Sequence, residues 1–593
     1  MDTKNLLVEL FVEELPPKAL KKIGEAFAQA LQASLKAQGL LADDSVLTHF
    51  ASPRRLGVHL TEVAIQADDK TVMQKLMPVA VGLTAEGKAT PALLKKLSAL
   101  GANESAVANL KRESDGKADV LFFDSIVTGV TLPDGLQKAI EEALAKLPIP
   151  KVMTYQLADG WDTVNFVRPA HGLVALYGAD VVPISVLGLT AGNTTHGHRF
   201  EAGLDPVFIR NADTYAQQLA SEGAVIASFT ERRAEIVRQL AAAAATAGDN
   251  LKPIEDEALL DEVTGLVERP NVLIGQFEEA FLEVPQECLI LTMKANQKYF
   301  PLLDSNGNLS NKFLIVSNIR PADASTVIGG NERVVRPRLA DAKFFFDQDR
   351  KKTLASRVAG LDKVVYHNKL GTQGERVERV RAISKAIGQQ LGDNTLVQKA
   401  DQAAQLAKTD LVTDMAGEFP ELQGIMGRYY ALNDNLATDV ADAIEDHYKP
   451  RFAGDELPRN LVGVIVALAD KLETLVGLFG IGQIPTGDKD PFALRRHALG
   501  VIRMLTECKL QIGLSELVDA VWNVMKTIET RGTTPSQLPA GSHGVAIIKL
   551  DLAKETPSLL REFIFDRLAN TLREQGYSAQ EINAVLALQP QRL

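Results

Sequence analysis

The segment Leu461–Leu475, LVGVIVALADKLETL, constrains the fold of this chain more than any other. Leu461 to Ala469 is apolar on every side, a pattern that a soluble protein tolerates only in a helix enclosed by other elements. Asp470 follows directly, inside the same run. An unpaired buried carboxylate is costly, so the sequence requires a lysine or arginine to be brought to Asp470 from elsewhere in the fold. The run is about half a membrane span, so it reads as the core of a soluble helical domain.

The 593 residues are enough for about three to five domains. Residues 1–150 alternate strand-like and helix-like stretches. Leu6–Val12 reads as a buried strand, Pro17–Ala37 as a helix and Val58–Ala64 as an alternating strand. Residues 151–330 are mixed again, with strands expected at Val182–Leu189 and Phe313–Asn318 and a helix at Thr230–Ala247. From about residue 331 long apolar-periodic segments follow one another. The expected fold class is therefore α+β multidomain, with a mixed α/β first half and an all-helical second half.

Composition removes several function classes. With 46% hydrophobic and 23% charged residues, collagen-like and wholly disordered readings fail. Cys288 and Cys508 stand far apart with no CxxC or Cys/His cluster, which argues against a disulfide scaffold and a structural zinc and fits a reducing cytosol. The N-terminal MDTKNLLVELFVEELPP lacks the pattern of a signal peptide. The net charge of −11 means that any grip on nucleic acid must come from local basic patches.

Three such patches exist. Asn331–Lys352, NERVVRPRLADAKFFFDQDRKK, has seven basic and four acidic residues, net +3. Pro337 is placed to open a helix whose Leu339, Ala342 and Phe346 share one face. Arg333, Arg336 and Arg338 then serve either as a solvated helix surface or as RNA phosphate contacts. A second helix is expected from Asp490 as N-cap and Pro491 at its first position, with Leu494, Ala498, Val501 and Leu505 buried. Arg495 and Arg496 fall on its other faces, as helix surface or as a partner or RNA contact. Ser52-Pro53-Arg54-Arg55 is the third, read equally as a solvated turn or as an RNA contact through Arg54 and Arg55.

Motifs for catalysis are missing. The nearest approach to a phosphate-binding P-loop, Gly482–Lys489, places Asp488 before the lysine and has no Ser or Thr after it. No GxSxG, HExxH or kinase signature occurs. A metal constellation is conceivable from His367, Asp410 and Asp470, with Asp414 and His447 nearby in sequence. Phosphohydrolases of the HD superfamily set His, His-Asp and Asp on separate helices around a divalent ion. Here the tandem reads Lys408-Thr409-Asp410, which removes a ligand and brings a positive charge to the cation's place. We therefore expect no bound metal, Asp470 paired with a lysine or arginine, and His367 in a capping or hydrogen-bonding role.

Together these segments resemble the beta subunit of bacterial heterotetrameric glycyl-tRNA synthetase. The matching stretches are EELPPKAL (Glu13–Leu20), SPRRL (Ser52–Leu56), KLPIPKVM (Lys146–Met153), NFVRPAHGL (Asn165–Leu173), GHRF (Gly197–Phe200) and MKANQKYFPL (Met293–Leu302). They continue through Gly330–Lys352, Asp410–Ala431, YKPRFAGDELP (Tyr448–Pro458) and Ala469–Gly500. The resemblance implies a noncatalytic, tRNA-binding subunit with no cofactor of its own. ATP and magnesium would belong to an alpha subunit that activates glycine, in an alpha2-beta2 assembly in the cytoplasm with glycine tRNA as substrate. It further implies an N-terminal α+β domain (1–150), a second α+β domain (151–330), a helical HD-like domain (331–510) and the start of an anticodon-binding domain (511–593). The family continues beyond Gln589–Leu593 to an ANKRVxNIL-like helix, so this chain is expected to be C-terminally shortened. The competing reading is an HD-type metal-dependent phosphohydrolase acting on nucleotides or RNA.

Overall fold

A computed structural model describes residues 3–84, 86–114, 118–157, 159–248, 250–532 and 546–587. The chain divides into two compact units, one made of Met1–Phe277 and Met293–Arg333, the other of Glu278–Thr292 and Val334–Leu593.

The first unit is built on an antiparallel five-stranded sheet. Its order is Asp180–Val181, Ala170–Tyr177, Thr3–Val12, Arg55–Ala64, Leu47–Ser52. The central strand Thr3–Val12 alternates between two cores. Leu6, Val8, Leu10 and Val12 pack with Ile23, Phe27 and Leu31 of the helix Pro17–Ala37 and with Leu136 and Ile140 of Leu132–Ala145. Leu7 faces Val174, Leu176 and Tyr215 on the other side. Strands on both sides of residue 150 thus share one sheet. A separate three-stranded sheet, Lys70–Pro78, Asp119–Val127 and Lys111–Ser114, closes on Leu93 and Leu97. A four-stranded sheet containing Leu309–Ser317 packs against Ile236, Leu240 and Ala244 of the helix Phe229–Ala247.

The expected strand Val182–Leu189 is corrected. Pro183 interrupts it, and Leu187 and Gly188, both at positive φ, form the two-residue turn of a small hairpin pairing Val186 with Leu189.

The second unit is mostly helical, centred on the helix Leu461–Gly480, in which every residue from Val462 to Gly480 is buried. Asn460 caps it by accepting the Gly463 amide. The expectation of an all-helical second half is corrected by two hairpins: Val365–His367 with Gly371–Thr372, and Glu529–Gly532 with Ala546–Lys549. In the first, the β-branched and aromatic Val364-Val365-Tyr366 favours extended backbone, and Gly371 at φ +87° supplies the turn.

Pro337 does not open its helix. The helix runs Ser325–Asp349 with Pro337 inside it, so the Arg333 carbonyl loses its usual amide donor. The buried face is as expected, with Val335, Leu339, Ala342 and Phe346 inward. The helix expected from Asp490 starts at Leu494. Asp490 still caps it from the preceding turn, accepting the amides of Leu494 (2.8 Å) and Arg495 (3.0 Å). Leu494, Ala498, Val501 and Leu505 are buried. Gln589–Leu593 lie outside the described residues.

Candidate nucleic-acid interface

The Ser52-Pro53-Arg54-Arg55 turn separates its two arginines completely. Ser52 pairs with Arg55 across a two-residue hairpin, so Arg55 belongs to a strand and Arg54 to the tip. Arg55 is fully buried. It donates to Glu268 Oε1 at 2.8 Å and to the His196 carbonyl at 2.7 Å, and its Nε lies 3.5 Å from Glu9. Glu9, in the middle of the central strand, accepts hydroxyl hydrogen bonds from Tyr215 and Thr195. Arg55 is therefore corrected from an RNA-binding candidate to a structural cation, because no solvent-facing atom remains for a phosphate. Arg54 is partly exposed and lies over the Phe11 ring at 4.6 Å.

On the helix Ser325–Asp349, Arg333, Arg336 and Arg338 are all exposed. Arg333 closes the first unit, and Arg336 and Arg338 belong to the second. Positions two apart on a helix point roughly 200° away from each other. Arg336 and Arg338 accordingly flank the buried stripe on opposite sides. Arg336 pairs with Glu278 at 2.5 Å. Arg333 and Arg338 have no ion pair among the described residues. Asp347 is taken by Lys343 and Arg350, whose cations hold its carboxyl below the ordinary range.

Arg495 is half-buried and donates to the Gly487 carbonyl, whereas Arg496 is exposed and free of ion pairs among the described residues. The family-like basic residues that stay available for a ligand are therefore Arg54, Arg333, Arg338 and Arg496.

The His367, Asp410 and Asp470 set is distributed over different roles. Asp470 Oδ1 lies 3.1 Å from Arg376 Nη2 and 3.3 Å from Lys408 Nζ, the partnership that its apolar helix demands. Although burial opposes it, these cations keep Asp470 ionised far below the usual carboxylate range. One turn further on, Glu473 accepts from Arg376 Nε and Arg379 Nε, both at 2.8 Å. Sequence reasoning missed Arg376 and Arg379. Their signal was the arginine repeat in GERVERVR, one helical turn apart on a segment otherwise rich in valine.

Asp410 is fully buried and accepts the Gly424 amide at 2.5 Å, which Gly424 presents from φ +83°. Its Oδ1 has no hydrogen-bond partner, and burial pushes its carboxyl up to about 6. Burial likewise brings the Lys408 ammonium down to about 8 despite its acidic neighbours. His367 accepts the Lys369 amide at 3.1 Å and sets its ring edge against Phe492, the hydrogen-bonding role expected of it. Among the described residues no group of three or more His, Cys, Asp or Glu side chains could hold a metal ion. No helix among them is long and apolar enough to cross a membrane.

Comparison with known proteins gives a consistent result along the whole chain. The family model described as Glycyl-tRNA synthetase beta subunit matches residues 6–587. The glycine–tRNA ligase beta subunit of Janthinobacterium sp. (strain Marseille) is 80% identical over 593 residues, covering 100% of this chain and 81% of that protein. The proteins of the same name from Delftia acidovorans and Thiobacillus denitrificans are each 69% identical, again over 100% of this chain and 81% of theirs. This chain belongs to the glycyl-tRNA synthetase beta subunit family.

Proposed function

We propose that this chain is the tRNA-binding beta subunit of a glycine–tRNA ligase and acts in protein biosynthesis with an alpha subunit that carries the active site. The observation that supports this most is similarity over the full chain to glycine–tRNA ligase beta subunits. On this reading ATP, magnesium and glycine are handled by the alpha subunit, the assembly is alpha2-beta2 and works in the cytoplasm, and this chain binds no cofactor. The segment 331–510 then corresponds to an HD-like domain used as scaffold, and 511–593 lies in an anticodon-binding domain. The phosphohydrolase alternative has no support. The Lys408 ammonium lies 3.3 Å from Asp470, where a metal-dependent enzyme would need its cation.

The test is aminoacylation of glycine tRNA by this chain with and without its alpha partner. The complex is expected to charge tRNA, and the chain alone to show no glycine-dependent ATP–pyrophosphate exchange. Exchange by the isolated chain would overturn the reading.

A further inference from the structure

Four segments that are distant in sequence converge in the first unit: EELPP, SPRR, RPAHG and GHRF. At their meeting point Arg54 is anomalous. It is partly buried, its guanidinium stacks on Phe11 at 4.6 Å, and its Nε is shut off from solvent without a hydrogen-bond partner. No ion pair engages it among the described residues. Arg55 also has an Nε without a hydrogen bond, but that atom lies 3.5 Å from Glu9 and the rest of its guanidinium is held by Glu268 and a carbonyl, while Arg232 is held by the carbonyls of Thr264, Ile226 and Ala51. Burial lowers the Arg54 pKa, and the charges of Glu268 and Glu14 offset that only in part, while Arg199 adds repulsion. A buried arginine with unused donors costs stability unless an acceptor arrives.

Arg199 is a second cation at this point, held only through one guanidinium nitrogen. Its side chain is half exposed, and Nη2 lies 3.5 Å from Glu13 Oε2 and 3.4 Å from Glu14 Oε1, too loose to consume its donor fork. Glu13 is meanwhile engaged at 3.1 Å by His171. Next to Arg199, Phe200 presents its ring to solvent at 78% exposure.

We infer that Arg54 and Arg199 form a phosphate-binding pair for the RNA backbone, with Phe200 as a stacking platform for an adjacent unpaired base. The inference rests on the proposed tRNA-binding role and names a second contact region, separate from the helix Ser325–Asp349. A phosphate between the two guanidiniums relieves their repulsion, accepts from the unused donors of Arg54 and displaces Glu13 and Glu14 from Arg199. RNA is favoured over a protein carboxylate because an exposed aromatic beside arginines is the arrangement that recognises unstacked bases.

The test measures binding of glycine-accepting tRNA to the full chain across a salt series, with Arg54→Gln, Arg199→Gln and Phe200→Ala. Each arginine variant is expected to weaken binding and to lower the slope of log affinity against log salt by about 0.7–0.9, with no fall in melting temperature. Phe200→Ala is expected to weaken binding about tenfold at every salt concentration, without changing the slope. Wild-type affinity and slope in both arginine variants would overturn the site. A lowered melting temperature with wild-type slope would overturn it in favour of a structural role. Loss of alpha-subunit association with tRNA binding intact would overturn it in favour of a protein carboxylate. Should Arg54→Gln fail to fold, Arg199→Gln, at a half-exposed side chain, still decides. Failure of the wild-type chain to bind tRNA would instead overturn the reading on which the site rests.

Discussion

Lys408 Nζ lies 3.3 Å from Asp470 Oδ1, with both side chains 7% exposed, and the ammonium sits 3.9 Å from the centroid of the Tyr448 ring. Together with Arg376, 3.1 Å from the same oxygen, this lysine does what a bound cation would do, neutralising an aspartate inside an apolar helix. Removing one partner of such a pair leaves the other charge buried. Lys408→Met is expected to destabilise the chain by about 3 kcal/mol in urea unfolding, within the range for broken buried pairs. A loss below roughly 1 kcal/mol would mean that Arg376 alone satisfies Asp470.

Asp410 should impose a pH dependence on folding. Its carboxyl is raised to about 6 in the folded state, against an ordinary value near 3.8. The folded chain therefore holds the proton more tightly than the unfolded chain. The stabilisation is complete below about pH 4 and is lost as the pH rises through 6, on the order of 3 kcal/mol. Asp410→Asn should flatten the stability profile between pH 4 and 6. An unchanged profile in that variant would assign the slope to another group.

Arg55 and Arg54 should behave oppositely although they are neighbours. Arg55→Ala strands Glu9 and Glu268 and should cost on the order of 3–5 kcal/mol of stability. In any fraction that still folds, the salt slope of tRNA binding should equal that of wild type, since Arg55 has no exposed atom.

On the helix Ser325–Asp349 the two uncommitted arginines should matter more than the paired one. The double variant Arg333→Ala/Arg338→Ala is expected to weaken tRNA binding and flatten the salt slope by about 0.9 per contact on a duplex stem. Arg336→Ala breaks only a half-exposed pair with Glu278 and should change stability by less than about 1 kcal/mol. Melting curves and salt titrations on the same preparations separate the two effects.

Much of this could be read from local sequence, and the remainder depends on distance along the chain. The spacing of Leu339, Ala342 and Phe346 identified a buried helical face, and the apolar setting of Asp470 required a cation. Lys408 was legible as the charge at the cation's place, but Arg376, 94 residues away, was not. The fate of Arg55 was equally hidden. Its identity as a turn residue is local, but its burial is decided by Glu268. Pro337 inside a helix shows tertiary packing overriding local propensity: Val335 and Leu339 are buried on either side of it and hold the helical backbone through the missing hydrogen bond.

Arg55 and Glu268 are separated by 213 residues. At about 5–20 residues per second, a ribosome takes roughly 10–40 s to make that length of chain. Until then Glu9, 3.5 Å from the Arg55 Nε, is the one carboxylate partner available to that guanidinium. The order of synthesis makes Glu268 a late latch, closing a charge network whose other members were translated long before it.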